Sequence, residues 1–255
     1  MTNVNTHYRA DIEGLRAVAI LFVVAAHVEL PWFSGGFVGV DVFFVMSGYL
    51  ITSLLLKEYQ LSGKVNFFGF YAARLRRLLP ALLFMLMTTS IAAVFLLSPF
   101  EQGVQAKTAG YASLWLSNMQ FSLDELDYFA PVATENMYLH TWSLGVEEQF
   151  YLIWPVLILF FLGAWSGEGR KTRFNRLVMM MAGVVVIFFT LSTYLSYSQP
   201  AFGFYLMVSR AWQFALGAFV LLCACLLYPF DAACEEHSVA PGGSRSNKKQ
   251  TLNKY

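Results

Sequence analysis

Charged side chains are scarce in this sequence of 255 residues, and neither sign dominates. Lys and Arg number 17 and Asp and Glu number 16, so 13% of the residues are charged, whereas soluble domains carry about 25%. The net charge of +1 gives no indication of a nucleic-acid partner. In place of charge, 57% of the residues are hydrophobic, and the mean hydropathy is +0.54. This composition is typical of an integral membrane protein that is solvated by the lipid bilayer.

Cysteine is also rare. The three cysteines, Cys223, Cys225 and Cys234, have spacings that match neither a metal site nor a redox motif. Two of them lie in an apolar run, so we expect reduced thiols that serve packing. The sequence therefore predicts neither a disulfide framework nor a metal centre.

Long apolar runs predict an all-α fold, a polytopic bundle of transmembrane helices with six clear spans. Residues 1–16 contain no cationic segment followed by a cleavage site, so the first run is expected to remain as a span. We expect residues 1–230 to form the transmembrane domain and residues 231–255 to form a polar, disordered cytoplasmic tail. The predicted spans are approximately 14–30, 36–56, 78–98, 144–164, 177–197 and 209–229.

A seventh segment, 104–122, is only moderately apolar. The basic loops 57–77 and 165–176 are expected in the cytoplasm, because Lys and Arg concentrate there, and the acidic loop 123–140 is expected outside. A full crossing by 104–122 would reverse that order. We therefore predict a re-entrant or interfacial segment and a cytoplasmic N-terminus.

The first span carries two ionisable residues, Arg16 at its mouth and His27 deep in the apolar sequence. Eleven residues make about three helical turns, so both side chains share a face and lie about 16 Å apart. An ionisable group inside a membrane costs roughly 2.5–3.5 kcal/mol and is usually functional. A histidine that only hydrogen-bonds to a neighbouring helix is the alternative.

The second span contains small and polar residues. Gly36, Gly39 and Gly48 are expected to let neighbouring helices approach closely. Asp41 lies near the mouth of the helix and has two open interpretations, an interfacial carboxylate or a site residue. Ser47 is a further candidate site residue.

A dense polar run precedes the fourth span at residues 140–151. Ser143 is expected to cap the helix N-terminus, and the helix dipole alone would explain Glu148. Glu147 and Tyr151 are four residues apart and therefore share a face. A carboxylate and a phenol on one buried face predict a polar chamber.

Four motifs in order resemble the acyltransferase-3 family of bacterial integral-membrane O-acyltransferases. The first runs from Tyr8 to Arg16, with ten residues between Arg16 and His27. The others read GGFVGVDVFFVMSGYLIT at 35–52, FYAARLRRLLPALL at 70–83 and YLHTWSLGVEEQFYLIWP at 138–155. The resemblance covers roughly residues 8–230.

The resemblance implies acyl transfer, usually of acetyl, from cytoplasmic acyl-CoA to a hydroxyl of a cell-envelope glycan such as lipopolysaccharide or exopolysaccharide. It implies a location in the bacterial inner membrane. The family's essential Arg and His correspond to Arg16 and His27, its basic pair to Arg74 and Arg77, and its acidic residue to Glu147. Imidazole is a suitable general base near neutral pH, and Arg pairs well with phosphate. Without the resemblance, the Arg cluster would be an ordinary positive-inside signal.

The sequence departs from the family in two respects. Members commonly continue through about ten spans, whereas we expect six here and a chain that is truncated relative to the family. Gln213 stands where the family often has Glu. A separate protein that supplies the missing spans or an extracytoplasmic domain is therefore a candidate partner. Two other functions stay open: a proton-coupled transporter of a glycan or acyl group, and an inactive fragment.

Overall fold

A computed structural model describes residues 10–164 and 169–227 of the chain. The described residues contain helices and no strand, which confirms the predicted all-α class. The helices are α1 (Ala10–His27), α2 (Val38–Ser62), α3 (Phe67–Leu96), α4 (Pro99–Ser113), α5 (Ser117–Leu123), α6 (Pro131–Thr134), α7 (Thr141–Ala164), α8 (Arg170–Ser198), α9 (Pro200–Tyr205) and α10 (Met207–Leu227).

Five helical segments are long and apolar enough to cross a bilayer, which requires about 20 residues. They overlap the second to sixth predicted spans, and they identify a multi-pass membrane protein. The segments are Val38–Ser62, Phe67–Leu96, Thr141–Gly163, Phe174–Ser198 and Pro200–Cys225, the last of which joins α9 and α10.

The first predicted span forms α1, but α1 is not among those five segments. Its 18 residues extend about 27 Å. Asp11, Glu13 and Arg16 occupy its first two turns, so the purely apolar part is shorter than a full span. The difference between six expected spans and five spanning segments lies in this helix.

Segment 104–122 is broken into two helices, in agreement with the prediction that it does not cross. Helix α4 has 15 residues, or about 22 Å, and α5 has seven. Trp115, between them, has a φ of +56° in the left-handed region, which ends α4 and turns the chain. Neither helix alone reaches across about 30 Å of hydrocarbon.

The core is centred on α10, which packs most extensively against α8 and α2. Phe214 of α10 stacks on Phe44 of α2 and Phe150 of α7, with ring centroids 4.9 and 4.1 Å apart. All three rings are almost completely buried. This aromatic stack joins the three helices that carry most of the candidate site.

Glycines allow the close helix contacts around this core. A Cβ atom at Gly48 of α2 or Gly217 of α10 would lie 2.0 or 1.9 Å from a carbonyl oxygen of the opposite helix. At Gly36 and Gly39 it would lie 2.1 and 2.4 Å from carbonyl oxygens of α1. The packing role predicted for Gly36, Gly39 and Gly48 is confirmed.

Two predictions from the sequence concern residues at the end of the chain. The predicted tail 231–255, with Cys234, lies outside the described residues. Cys223 and Cys225 in α10 are half-buried and form no disulfide in the described part of the chain.

The contact between α2 and α10 gives a testable prediction for stability. Gly217→Val places methyl groups against the α2 backbone and should destabilise the fold by about 1–3 kcal/mol. Gly183→Val in α8 is the matched control, because a Cβ atom at Gly183 meets nothing within 4 Å. Thermal unfolding in detergent should show a lower Tm for Gly217→Val alone, and equal Tm values would contradict the packing role.

Candidate active site

A carboxylate, a phenol and a hydroxyl meet between α2 and α7. Ser47 and Tyr151 each donate a hydrogen bond to Glu147 Oε1, and the Ser47 and Tyr151 hydroxyls also contact each other. Ser47 is 9% exposed and Tyr151 is 5% exposed. Glu147 and Tyr151 do share a face of α7, as their spacing predicts, and Ser47 joins them from α2.

Arg74 of α3 lies against the other side of this cluster. Its guanidinium carbon is 3.3 Å from the centre of the Tyr151 ring, a cation–π contact. Its Nη1 atom is 3.7 Å from Glu148 Oε1. The positive charge therefore lies beside the Glu148 carboxylate and against the ring of Tyr151, whose hydroxyl contacts Glu147.

Two expectations about the start of α7 are wrong. The helix begins at Thr141, two residues before Ser143, so Ser143 lies inside the helix and is not its N-cap. Its hydroxyl donates instead to the His140 carbonyl at 3.2 Å. Glu148 is two turns into the helix, beyond the reach of the helix dipole, and its described partner is Arg74.

Arg77 does not accompany Arg74. It lies three residues later on α3 and is exposed. No hydrogen bond or ion pair of Arg77 is present among the described residues. The predicted basic pair thus comprises one arginine held against the polar cluster and one that faces outward.

Asp41 belongs to a second polar network, between α2 and α10. Its Oδ1 atom accepts from Arg210 Nη1 at 2.9 Å and from Gln213 Nε2 at 3.0 Å. Arg210 Nε donates to the Phe204 carbonyl at 3.0 Å. Asp41 is therefore more than an interfacial carboxylate. Sequence reasoning missed Arg210, although an arginine in an apolar helix is itself a signal that a buried partner exists.

A groove of about 280 Å³ runs between α1, α2 and α7. Its walls are apolar except on the α7 side, where a hydroxyl and a carboxylate face it. The lining residues are Ile20, Val23 and Val24 of α1, Val40, Phe43 and Phe44 of α2, and Ser143 and Glu147 of α7. Glu147 thus connects the groove with the Ser47 and Tyr151 hydroxyls.

His27 is the last residue of α1 and is exposed, so its predicted position deep in the helix is wrong. Its Nδ1 atom is 2.7 Å from the Val23 carbonyl oxygen. Because a carbonyl only accepts, Nδ1 carries the proton and the Nε2 lone pair is available to accept one. The Tyr128 hydroxyl lies 3.4 Å from Nε2. Burial raises the pKa of Tyr128, so this phenol remains protonated at neutral pH.

The end of α1 that holds His27 is a Schellman motif. Leu30 N–H donates to the Ala25 carbonyl at 3.0 Å, and Glu29 N–H donates to the Ala26 carbonyl at 3.1 Å. Glu29 adopts a left-handed φ of +53°, which usually favours glycine. The motif fixes the last turn and with it the carbonyl that binds the imidazole.

Arg16 lies at the other end of α1. It pairs with Glu13 at 3.3 Å, and its guanidinium carbon is 5.9 Å from the Phe43 ring centre. The described hydrogen bonds of Glu147 are with Ser47 and Tyr151. Those of His27 are with Val23 and Tyr128, so none joins His27 to Glu147. The groove, rather than a direct contact, links these residues, since Val23 both lines it and holds His27.

His140 is a functional candidate to which sequence reasoning assigned no role, although it lies in the motif at 138–155. More than a third of the surface of His140 is accessible. The surrounding protein nevertheless excludes water from part of the imidazole ring. This desolvation and the positive charge of His27 both lower the pKa of His140. Two imidazoles therefore lie near each other at the C-terminal end of α1. No group of three His, Cys, Asp or Glu residues suited to a metal ion occurs in the described part of the chain.

A known protein family covers most of the chain. Residues 9–223 match the model of acyltransferase family 3, described as an acyltransferase domain. The chain belongs to this family. Its family resemblance and its motifs are thereby confirmed, and no solved structure matches it.

The curated relatives are named as O-acetyltransferases. O-acetyltransferase OatA of Staphylococcus aureus is 42% identical over 156 residues, 61% of this chain and 25% of the relative. Peptidoglycan O-acetyltransferase OatA of Listeria monocytogenes is 37% identical over 161 residues, 63% of this chain and 26% of the relative. The chain thus spans about a quarter of the length of these relatives.

The proximity of the two histidines gives a testable prediction. His27→Gln removes the nearby positive charge but leaves the desolvation, so the pKa of His140 should rise while staying below 6.5. NMR titration of histidine-labelled protein in detergent measures this shift. Lys64→Gln, in the turn between α2 and α3, is the control and should leave the pKa of His140 unchanged. An unchanged pKa in His27→Gln would show that the histidines do not interact.

Proposed function

We propose that this chain transfers an acyl group, typically acetyl, from acyl-CoA to a hydroxyl of a cell-envelope carbohydrate. The observation that carries the proposal is the apolar groove with Glu147 in its wall, together with His27 one turn beyond the lining residue Val23, whose carbonyl holds the imidazole. The family and the names of the O-acetyltransferase relatives support it. The name of the Listeria relative specifies peptidoglycan as its acceptor, which makes a peptidoglycan-like glycan the first acceptor to test.

The proposed location is the bacterial cytoplasmic membrane, with the N-terminus inside. The basic segment 57–77 then lies in the cytoplasm and the acidic segment 123–140 lies outside. In this orientation Arg74 and Arg77 are near the cytoplasmic end of α3, and His27 is at the outer end of α1. Ser47, nine residues into α2, is about 14 Å from the outer end. The polar cluster thus stands between the donor side and the acceptor side.

The donor is proposed to bind from the cytoplasm. Arg77 is exposed for contact with the CoA phosphates, and Arg74 lies between that surface and Tyr151. Arg16, in the cytoplasmic half of α1, contributes a further positive charge toward the anionic donor. The pantetheine arm would follow the groove and bring the thioester toward His27.

The reaction is proposed to begin with His27 as general base. The acceptor hydroxyl oxygen attacks the thioester carbonyl carbon while its proton passes to Nε2. The C–S bond then breaks, and the CoA sulfur leaves with the proton returned by the imidazolium. Glu147 would balance the imidazolium charge across the apolar groove, where charges interact strongly. Ser47 and Tyr151 would hold that carboxylate.

Replacement of His27 tests the mechanism. His27→Gln keeps much of the shape of the side chain but cannot accept a proton, so transfer should fall by about 10²–10⁴-fold. The measurement is acyl-CoA consumption with release of free CoA, which a proton-coupled transporter would not require. Glu135→Gln, in the exposed loop, is the control. If the chain alone is silent, the corresponding histidine of a longer relative is replaced. A His27→Gln variant with near wild-type transfer would reduce His27 to a packing residue.

The donor site is tested by replacing the arginines. Arg77→Ala should weaken acyl-CoA binding by about 1.5–3 kcal/mol through loss of a charge-assisted contact, and Arg74→Ala should do the same. Lys at either position should restore only part, because an ammonium cannot pair with phosphate through two parallel bonds. Arg76→Ala, also exposed on α3, is the matched control for charge. Unchanged binding in the Arg74→Ala, Arg77→Ala double variant would exclude this cluster as the CoA site.

A further inference from the structure

A second cavity, larger than the groove, has a volume of about 530 Å³. Residues 125–129, in the loop after α5, form one wall. Residues 198–202, at the junction of α8 and α9, form another, and Phe204 closes it. The volume is within the range of about 300–1,000 Å³ of small-molecule sites.

Aromatic rings form an ordered wall of this cavity. The rings of Tyr128 and Phe204 stack with centroids 4.8 Å apart. The Phe129 ring meets that pair edge-on, with its centroid 5.8 Å from that of Phe204. Phe129 is nevertheless 62% exposed, so its ring is available to a ligand. Phe202 is a further aromatic residue in the lining.

The charge of the lining restricts the ligand. Glu125 and Asp127 are its charged residues, and the lining contains no Lys or Arg. One Asp127 oxygen accepts the Phe129 N–H at 3.0 Å, which leaves further lone pairs for ligand hydroxyls. Two carboxylates without a cation disfavour phosphate or carboxylate ligands and suit a neutral polyhydroxylated one.

The cavity is continuous with the proposed reaction centre through one residue. Tyr128 lines the cavity, and its hydroxyl is 3.4 Å from His27 Nε2. A ligand stacked against this aromatic wall would therefore have one end beside Nε2, the nitrogen that accepts from the Tyr128 hydroxyl.

We infer that this cavity binds a neutral saccharide segment of the acceptor glycan, an inference that rests on the proposed function. The apolar faces of the sugar rings would stack on Phe129 and Tyr128. Sugar hydroxyls would donate hydrogen bonds to Glu125 and Asp127. The segment would hold the hydroxyl that is to be acylated next to His27.

The test measures saccharide binding by the full chain in nanodiscs, by calorimetry, with the tetramer of N-acetylglucosamine as the probe. Tetragalacturonate, an anionic oligosaccharide of the same length, is the comparison ligand. The neutral tetramer should bind and the anionic one should bind more weakly. Phe129→Ala and Glu125→Gln should each weaken binding by about three- to tenfold. Phe100→Ala in α4, where Phe100 is 83% exposed, and Glu135→Gln are the matched controls and should bind like the unmodified chain.

The outcomes separate this inference from the proposed function. His27→Gln should keep tetramer binding while it loses transfer. Tetramer binding without transfer, both in the unmodified chain and in an unmodified longer relative, would reject the function and retain the saccharide site. If the unmodified chain, Phe129→Ala and Glu125→Gln all transfer with the same KM for the acceptor, the function is retained and the saccharide site is rejected. Absence of tetramer binding, or equal binding of the two tetramers, would also overturn the inference.

Discussion

The arrangement of the helices depends on one constraint, that a carboxylate inside an apolar bundle needs partners. The Glu147 carboxylate accepts hydrogen bonds from the Ser47 and Tyr151 hydroxyls. Arg74 places a positive charge against the Tyr151 ring. These partners come from three helices, α2, α7 and α3, so the cluster fixes how they face one another. Because removal of one partner leaves a buried polar group unsatisfied, the same contacts favour one packing over its alternatives.

The second network meets the same constraint nearer the N-terminal end of α2. Asp41, Arg210 and Gln213 join α2 to α10, and the glycine contact between these helices lies one to two turns further along. The interface between α2 and α10 is therefore held both by close backbone contact at the glycines and by the Asp41–Arg210 ion pair. The aromatic stack around Phe214 extends that interface to α7. The α1 helix lacks such support, since it packs mainly on α2, and it carries His27 at the end of an element with one principal neighbour.

Much of the fold was predictable, because apolar length determines which segments cross a bilayer. The shared face of Glu147 and Tyr151 was also predictable, since helical spacing is a local property. The contact of Ser47 with Glu147 joins residues 100 positions apart and depends on helix packing that no local pattern encodes. Ser143 was misassigned because helix ends vary by one or two residues in any pattern. The burial of His27 was overestimated because the sequence does not reveal that α1 ends at that residue.

The Schellman motif at the end of α1 has a consequence for the orientation of the His27 imidazole. His27 is oriented by the carbonyl of its own helix, at Val23, and no described carboxylate orients it. The direction of the Nε2 lone pair is therefore fixed only while the last turn remains wound. Terminal turns open at low free-energy cost. This turn ends at Glu29, whose left-handed backbone conformation is unfavourable for an L-residue. Fraying of a single turn would thus free the imidazole to reorient without any change in the rest of the bundle.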